Sequence, residues 1–281
     1  MKPRLWIAVS ICAVILWVVA NSNGASYDII GKYTNWPTAW VPIPGLADPN
    51  DNLTRYWLDF VGDTTYPVGY WTATHDYVFF RMRVRSNAPP SNFSDSVFVL
   101  IDVVGDSQEY VPQFGFVWDS NQRVQDHGLE MVKLGTLGTT WGATTMDDID
   151  NSSGQKLSND INGGGRTTDG YVRLTDSIPA GGFGTTTFLD FAVAWNYLTN
   201  YTSLAPTQRW RITFASIDNA NDHNQLRYDI AGGAGPTSPV TNGWSGVITI
   251  PEPALPAQFA LVAGLIGFAA VVSKRGRRSS A

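Results

Sequence analysis

Three histidines, His75, His127 and His223, are where a search for catalysis or metal binding begins. They are far apart and each stands in a polar context, with no His-x-x-x-His pair to offer zinc two imidazoles from one helix face. The only cysteine, Cys12, is near the N-terminus, so thiolate ligation of zinc is excluded for the rest of the chain. No Gly-x-Ser-x-Gly elbow leads into a helix, and Gly163-Gly164-Gly165-Arg166 lacks the lysine and following helix of a phosphate loop. Acids are numerous enough that some pair could always be nominated for glycoside hydrolysis, so their number nominates none. The residue types lead to the expectation of a protein that is not an enzyme.

Two other chemistries have candidates. In Asp147-Asp148-Ile149-Asp150-Asn151-Ser152-Ser153-Gly154, the residues Asp148, Asp150 and Ser152 occupy alternate positions, from which oxygens can converge on a hard cation such as calcium. The EF-hand pattern is not met, because its sixth position falls on Ser153 and its twelfth on Asn159. Asp218-Asn219-Ala220-Asn221-Asp222 is a second oxygen-rich loop, and exposed Asp/Asn turns of this kind also form simply as Asx turns. No other cofactor is implied. The second chemistry is aromatic: Trp36, Trp40, Trp71, Trp118 and Trp141 are candidate stacking platforms for the C–H faces of sugar rings. Tryptophan also packs cores, and Trp195 and Trp210, each within an alternating stretch, are expected there.

The elements that must position these residues are strands. No stretch between 26 and 250 carries a 3.6-residue apolar period over three turns, whereas several carry a period of two. In Tyr77–Arg85, Phe80, Met82 and Val84 are expected to face a core, with Arg81, Arg83 and Arg85 facing solvent. Ser96–Val104 is a continuous apolar run, the pattern of a central strand covered on both faces. Further strand candidates are Gln113–Trp118, Leu129–Leu134, Tyr171–Leu174, Thr187–Trp195, Arg209–Ile217, Gln225–Ile230 and Gly246–Ile250. Long irregular connections are expected over Gly135–Gly170 and Ala231–Gly243. The fold class this predicts is all-β, a two-sheet antiparallel β-sandwich of jelly-roll-like form, in one domain over 26–250.

That region holds 13 basic and 23 acidic residues, a net charge near −10, which argues against nucleic acid as a partner. It holds no cysteine, so its core alone must hold it together. The ends of the chain have a different character. Met1-Lys2-Pro3-Arg4 followed by apolar Leu5–Ala20 reads as a secretory signal peptide over 1–25. At the other end, residues 254–273 are uncharged and mostly apolar, and twenty residues of helix reach about 30 Å, the hydrocarbon thickness of a bilayer. Lys274, Arg275, Arg277 and Arg278 follow, and the positive-inside rule would hold them in the cytoplasm.

Pro251-Glu252-Pro253, then an apolar helix, then a terminal basic cluster resembles the PEP-CTERM sorting signal of Gram-negative bacteria, over 251–281. The resemblance implies that exosortase recognises Pro251, Glu252 and Pro253 after export through the inner membrane. It implies that exosortase then cleaves nearby and passes the protein to the cell surface or extracellular matrix. Plain retention through 254–273 is the alternative. Within the domain, Leu58-Asp59, Tyr70–Arg85, the run Ser96–Asp102 and the stretch Phe188–Leu198 with Trp195-Asn196-Tyr197-Leu198 resemble the DOMON and family-9 carbohydrate-binding-module type of β-sandwich, over about 50–230. Such sandwiches bind sugars, haem or calcium, or serve as adhesive scaffolds. The expected role is therefore structural or adhesive, with recognition of extracellular polysaccharide as the alternative.

Overall fold

In the computed structural model, residues 26–30, 33–49, 51, 58–85, 95–119, 129–148, 170–202, 204–205, 207–217 and 226–250 are described. The signal peptide, the sorting motif, the apolar segment 254–273 and the basic tail lie outside them. Among the described residues, no helix is long and apolar enough to cross a membrane.

The alternating stretches form two antiparallel sheets. One runs β1 (Ser26–Ile30), β9 (Gly170–Pro179), β10 (Thr185–Ala194), β4 (Tyr77–Val84), β3 (Gly69–Ala73), β2 (Val41–Pro42). The other runs β12 (Asp229–Ile230), β11 (Arg209–Ile217), β5 (Ser96–Val103), β6 (Phe114–Asp119), β7 (Leu129–Thr136), β8 (Thr145–Asp148), with β13 (Ile248–Thr249) also paired to β11. The strand candidates of the sequence all find a strand here, the two C-terminal ones reduced to two-residue pairs. β1, β2, β3, β8 and the short helix α1 (Trp195–Tyr201) are additional. β8 and a 3-10 turn at Trp141–Ala143 break up what the sequence presents as one long loop after Gly135.

Parity within each strand sorts side chains into layers. Phe80, Met82 and Val84 of β4, with Leu189, Phe191 and Val193 of β10, meet Val97, Val99 and Ile101 of β5 and Trp210, Ile212 and Phe214 of β11 in the core between the sheets. The opposite parity is covered too. Phe98 and Leu100 of β5, Val117 of β6 and Ala215 of β11 pack outward beneath Trp141, Val240 and Trp244. On the other sheet, Tyr70, Phe79, Tyr171 and Phe188 pack outward beneath Trp40, with Tyr33 and Trp36 against them. Both outer faces are therefore roofed by connecting chain. β5, expected to be covered on both sides, is buried over all but its last residue.

This roofing corrects one expectation. Arg81, Arg83 and Arg85 alternate with core residues as predicted, yet they do not stand in open solvent. The Arg81 side chain is 11% exposed, Arg85 20%, and Arg83 is fully buried. Alternation fixes which side of a sheet a residue takes; whether that side is wet depends on distant chain folding over it.

Candidate functional site

The outward face of the first sheet carries the densest polar chemistry. Asp190 of β10 lies directly opposite Arg81 of β4 on one side and Arg173 of β9 on the other. Arg81 donates from Nε and Nη2 to the two oxygens of Asp190, at 2.6 and 2.8 Å, in the bidentate geometry that a planar guanidinium favours. Arg173 Nε donates to the same carboxylate at 2.8 Å. Asp190 is completely buried. Arg83, one register step along, donates to the Tyr70 hydroxyl, Thr186 Oγ1 and the Pro67 carbonyl. Burial pulls its guanidinium below the ordinary arginine range, against the opposing influence of Tyr70.

Aromatic rings cap these cations. Trp40 lies over Arg81 at 4.1 Å, Phe188 over Arg81 and Arg83 at 4.6 and 4.5 Å, and Trp36 over Arg173 at 4.3 Å. At one margin of this layer the roof thins. Tyr33, Trp36 and Tyr77 are only half-buried there, and Thr34, Asn35, His75 and Asp76 beside them are exposed. Tyr33 sits among the rings, 5.6 Å from Trp36 edge-on, 5.1 Å from Tyr77 and 4.9 Å from Tyr171. Burial and then the Asp76 charge push the Tyr33 hydroxyl above its ordinary value. His75 Nδ1 lies 2.8 Å from Asp76 Oδ1. The Trp36 indole nitrogen is buried without a hydrogen-bond partner among the described residues. Apolar ring surface rimmed by amide, hydroxyl and carboxylate is what a sugar face needs: C–H groups on the rings and hydroxyls on the rim.

The sequence candidates are brought together only in part. Of the five tryptophans nominated as platforms, Trp36 alone keeps a partly open side chain. Trp40 and Trp71 are 8% and 9% exposed, Trp118 2% and Trp141 none, which removes these four as open stacking surfaces. The reasons are local: Trp71 and Trp118 have inward parity in β3 and β6 and join the core between the sheets. Trp40 and Trp141 are roof residues, Trp141 also donating its Nε1–H to the Asn242 carbonyl at 3.1 Å. Of the calcium candidates, Asp148 is a strand residue of β8 opposite Val132, while Asp150 and Ser152 lie outside the described residues. Among the described residues, no group of three or more His, Cys, Asp or Glu side chains is arranged to hold a metal ion. Trp195 and Trp210 pack into the core as expected, their rings 6.1 Å apart.

Sequence reasoning missed Tyr33 and Phe79 as ring partners of Trp36, and Tyr77 and Tyr171 as ring partners of Tyr33. The available signal was the parity of Tyr77 and Phe79, which put aromatic side chains on the face assigned to solvent. It also missed a group of buried acids. Asp48, Asp59 and Asp229 are each at most 3% exposed. Asp229 Oδ2 accepts the Phe60 N–H at 2.6 Å, Asp48 Oδ2 accepts the Gly233 N–H at 3.2 Å, and Asp59 pairs with Arg85 at 2.8 Å. Burial, reinforced by the Asp229 charge, raises Asp48 to about 9; burial likewise raises Asp229 to about 8. No family model, curated protein or solved structure matches the chain.

Proposed function

We propose that this is an exported surface or extracellular-matrix protein of a Gram-negative envelope, with a structural or adhesive rather than catalytic role. The signal peptide at 1–25 directs export, and a jelly-roll-like sandwich over 26–250 forms the ectodomain. The C-terminal helix 254–273 holds the chain in the inner membrane until exosortase acts at Pro251-Glu252-Pro253. The observation that carries this reading is the succession in one C-terminal segment of that tripeptide, an uncharged twenty-residue run and four basic residues. Replacing Lys274, Arg275, Arg277 and Arg278 together by Ala tests it: surface delivery, followed by protease accessibility on whole cells, should be lost. Unchanged delivery would remove the sorting role from the tail.

A second reading, recognition of extracellular polysaccharide, is favoured by the half-open ring cluster of Tyr33, Trp36 and Tyr77. A Trp36→Ala chain should then bind polysaccharide more weakly while its fold is kept. Equal binding by the two chains would rule this margin out as the contact.

A further inference from the structure

The turn between β5 and β6 has features that neither folding nor the ring cluster of the other sheet explains. Tyr110 is the only non-glycine residue with a positive φ among the described residues, at 62°, a conformation that side chains with a Cβ rarely adopt. Among the exposed large hydrophobic side chains of the described residues it is also the only aromatic, at 40%. A strained backbone that presents an apolar ring to water is unfavourable on both counts, and two groups, Asp102 and Arg211, hold it there. Asp102, buried at the end of β5, accepts the Tyr110 N–H on Oδ2 at 3.1 Å. Arg211 of β11, opposite Asp102 in register, donates from Nη1 to that same oxygen at 2.7 Å. The Arg211 guanidinium lies over the Tyr110 ring at 4.0 Å, which covers one ring face.

The rim is polar. Glu109 accepts Arg211 Nη1 on one oxygen and the Gly105 N–H, at 2.6 Å, on the other. Hydrogen bonds from Arg211 and Gly105 hold its carboxyl below the usual range, so it is ionised at neutral pH. Burial works against the charge on Arg211, but Glu109 and Asp102 outweigh it and keep that guanidinium above its ordinary value. Nη1 of Arg211 is the nitrogen that holds both carboxylates. Asp106 and Gln108, exposed in the same turn, are tied by the Gln108 N–H to Asp106 Oδ1 at 2.7 Å.

We propose that Tyr110, Glu109 and Arg211 form a saccharide-binding site for a neutral pyranose. The sugar's C–H face lies on the open side of the Tyr110 ring, which Arg211 backs from the covered side, with a hydroxyl at the ring's edge donating to Glu109. On the exposed rim the carboxyl groups of Glu109 and Asp106 edge the open side of the ring, which turns away polyanionic sugars. The site is on the outer side of the second sheet, whereas Tyr33 and Trp36 are on the outer side of the first, and it depends neither on that cluster nor on the sorting tail.

The test is native affinity electrophoresis of the full-length chain in mild detergent, through gels holding laminarin, dextran or galactomannan, with alginate as the polyanionic comparison. At least one neutral polysaccharide should retard the chain and alginate should not. Tyr110→Gly, which relieves the strained φ and removes the ring, should bind about tenfold more weakly with no fall in melting temperature. Tyr110→Phe should keep binding, and Glu109→Gln should weaken it. Retardation by none of the neutral polysaccharides, or undiminished binding by Tyr110→Gly, overturns the proposal. Loss of binding in Trp36→Ala but not in Tyr110→Gly would assign the contact to the first sheet and leave the second without one.

Discussion

At the scale of single residues, the buried acids make the sharpest solution prediction. Asp48 and Asp229 ionise at about 9 and about 8 in the folded domain, against an ordinary value of 3.8. The folded state therefore holds more protons than the unfolded chain once pH exceeds about 4. Stability is fully present below that value, falls as pH rises, and levels off above about 9. Urea denaturation at a series of pH values should show midpoints declining from pH 5 to pH 9. Asp48→Asn, an amide mimic of the neutral acid, should flatten part of that decline; a chain whose stability rises over this range would contradict the assignment. Asp190 is a buried carboxyl group shared by Arg81 and Arg173. Asp190→Ala leaves two guanidiniums without it and should cost about 3–5 kcal/mol by denaturant titration. A loss under about 1 kcal/mol would mean that the pairs are solvated like surface pairs.

At the scale of elements, what the sequence reveals divides by period. Period-two stretches such as Tyr77–Arg85 and Arg209–Ile217 became β4 and β11 with the expected inward faces, because one dry face is enough to select parity. Two-residue strands β2, β12 and β13 have no period to detect, since pairing with a long neighbour defines them. α1 spans under two full turns, too short for an amphipathic stripe, and begins where β10 ends at Ala194. The candidate site was legible in residue type but not in place. The sequence places Trp36 in a loop platform; of its ring neighbours Tyr33 is local, while Phe79 comes from β4 and is brought near only by sheet formation. The roof over the second sheet is testable at this scale. Trp141 is fully buried, 5.6 Å from Trp244, and bonds across to Asn242. Trp141→Ala should destabilise by about 3–5 kcal/mol in the same denaturation assay. Little change would show that the outer layer contributes nothing to holding the sheet.

At the scale of the whole molecule, a cysteine-free domain with net charge near −10 is built with three apolar layers rather than one. Closing chain over both outer faces enlarges the buried apolar area, which offsets the absence of disulfides. It also explains why four of the five nominated tryptophans are enclosed. The two ends lie outside the described residues and carry the proposal about where the protein goes. Intact mass of the mature protein from its native host tests that proposal most directly. A mass ending near Pro251–Pro253, bare or carrying glycan, is the predicted result and makes the extracellular matrix the home of the sandwich. A mass running to Ala281 would contradict it, leaving a protein held at the membrane by its uncut C-terminal segment.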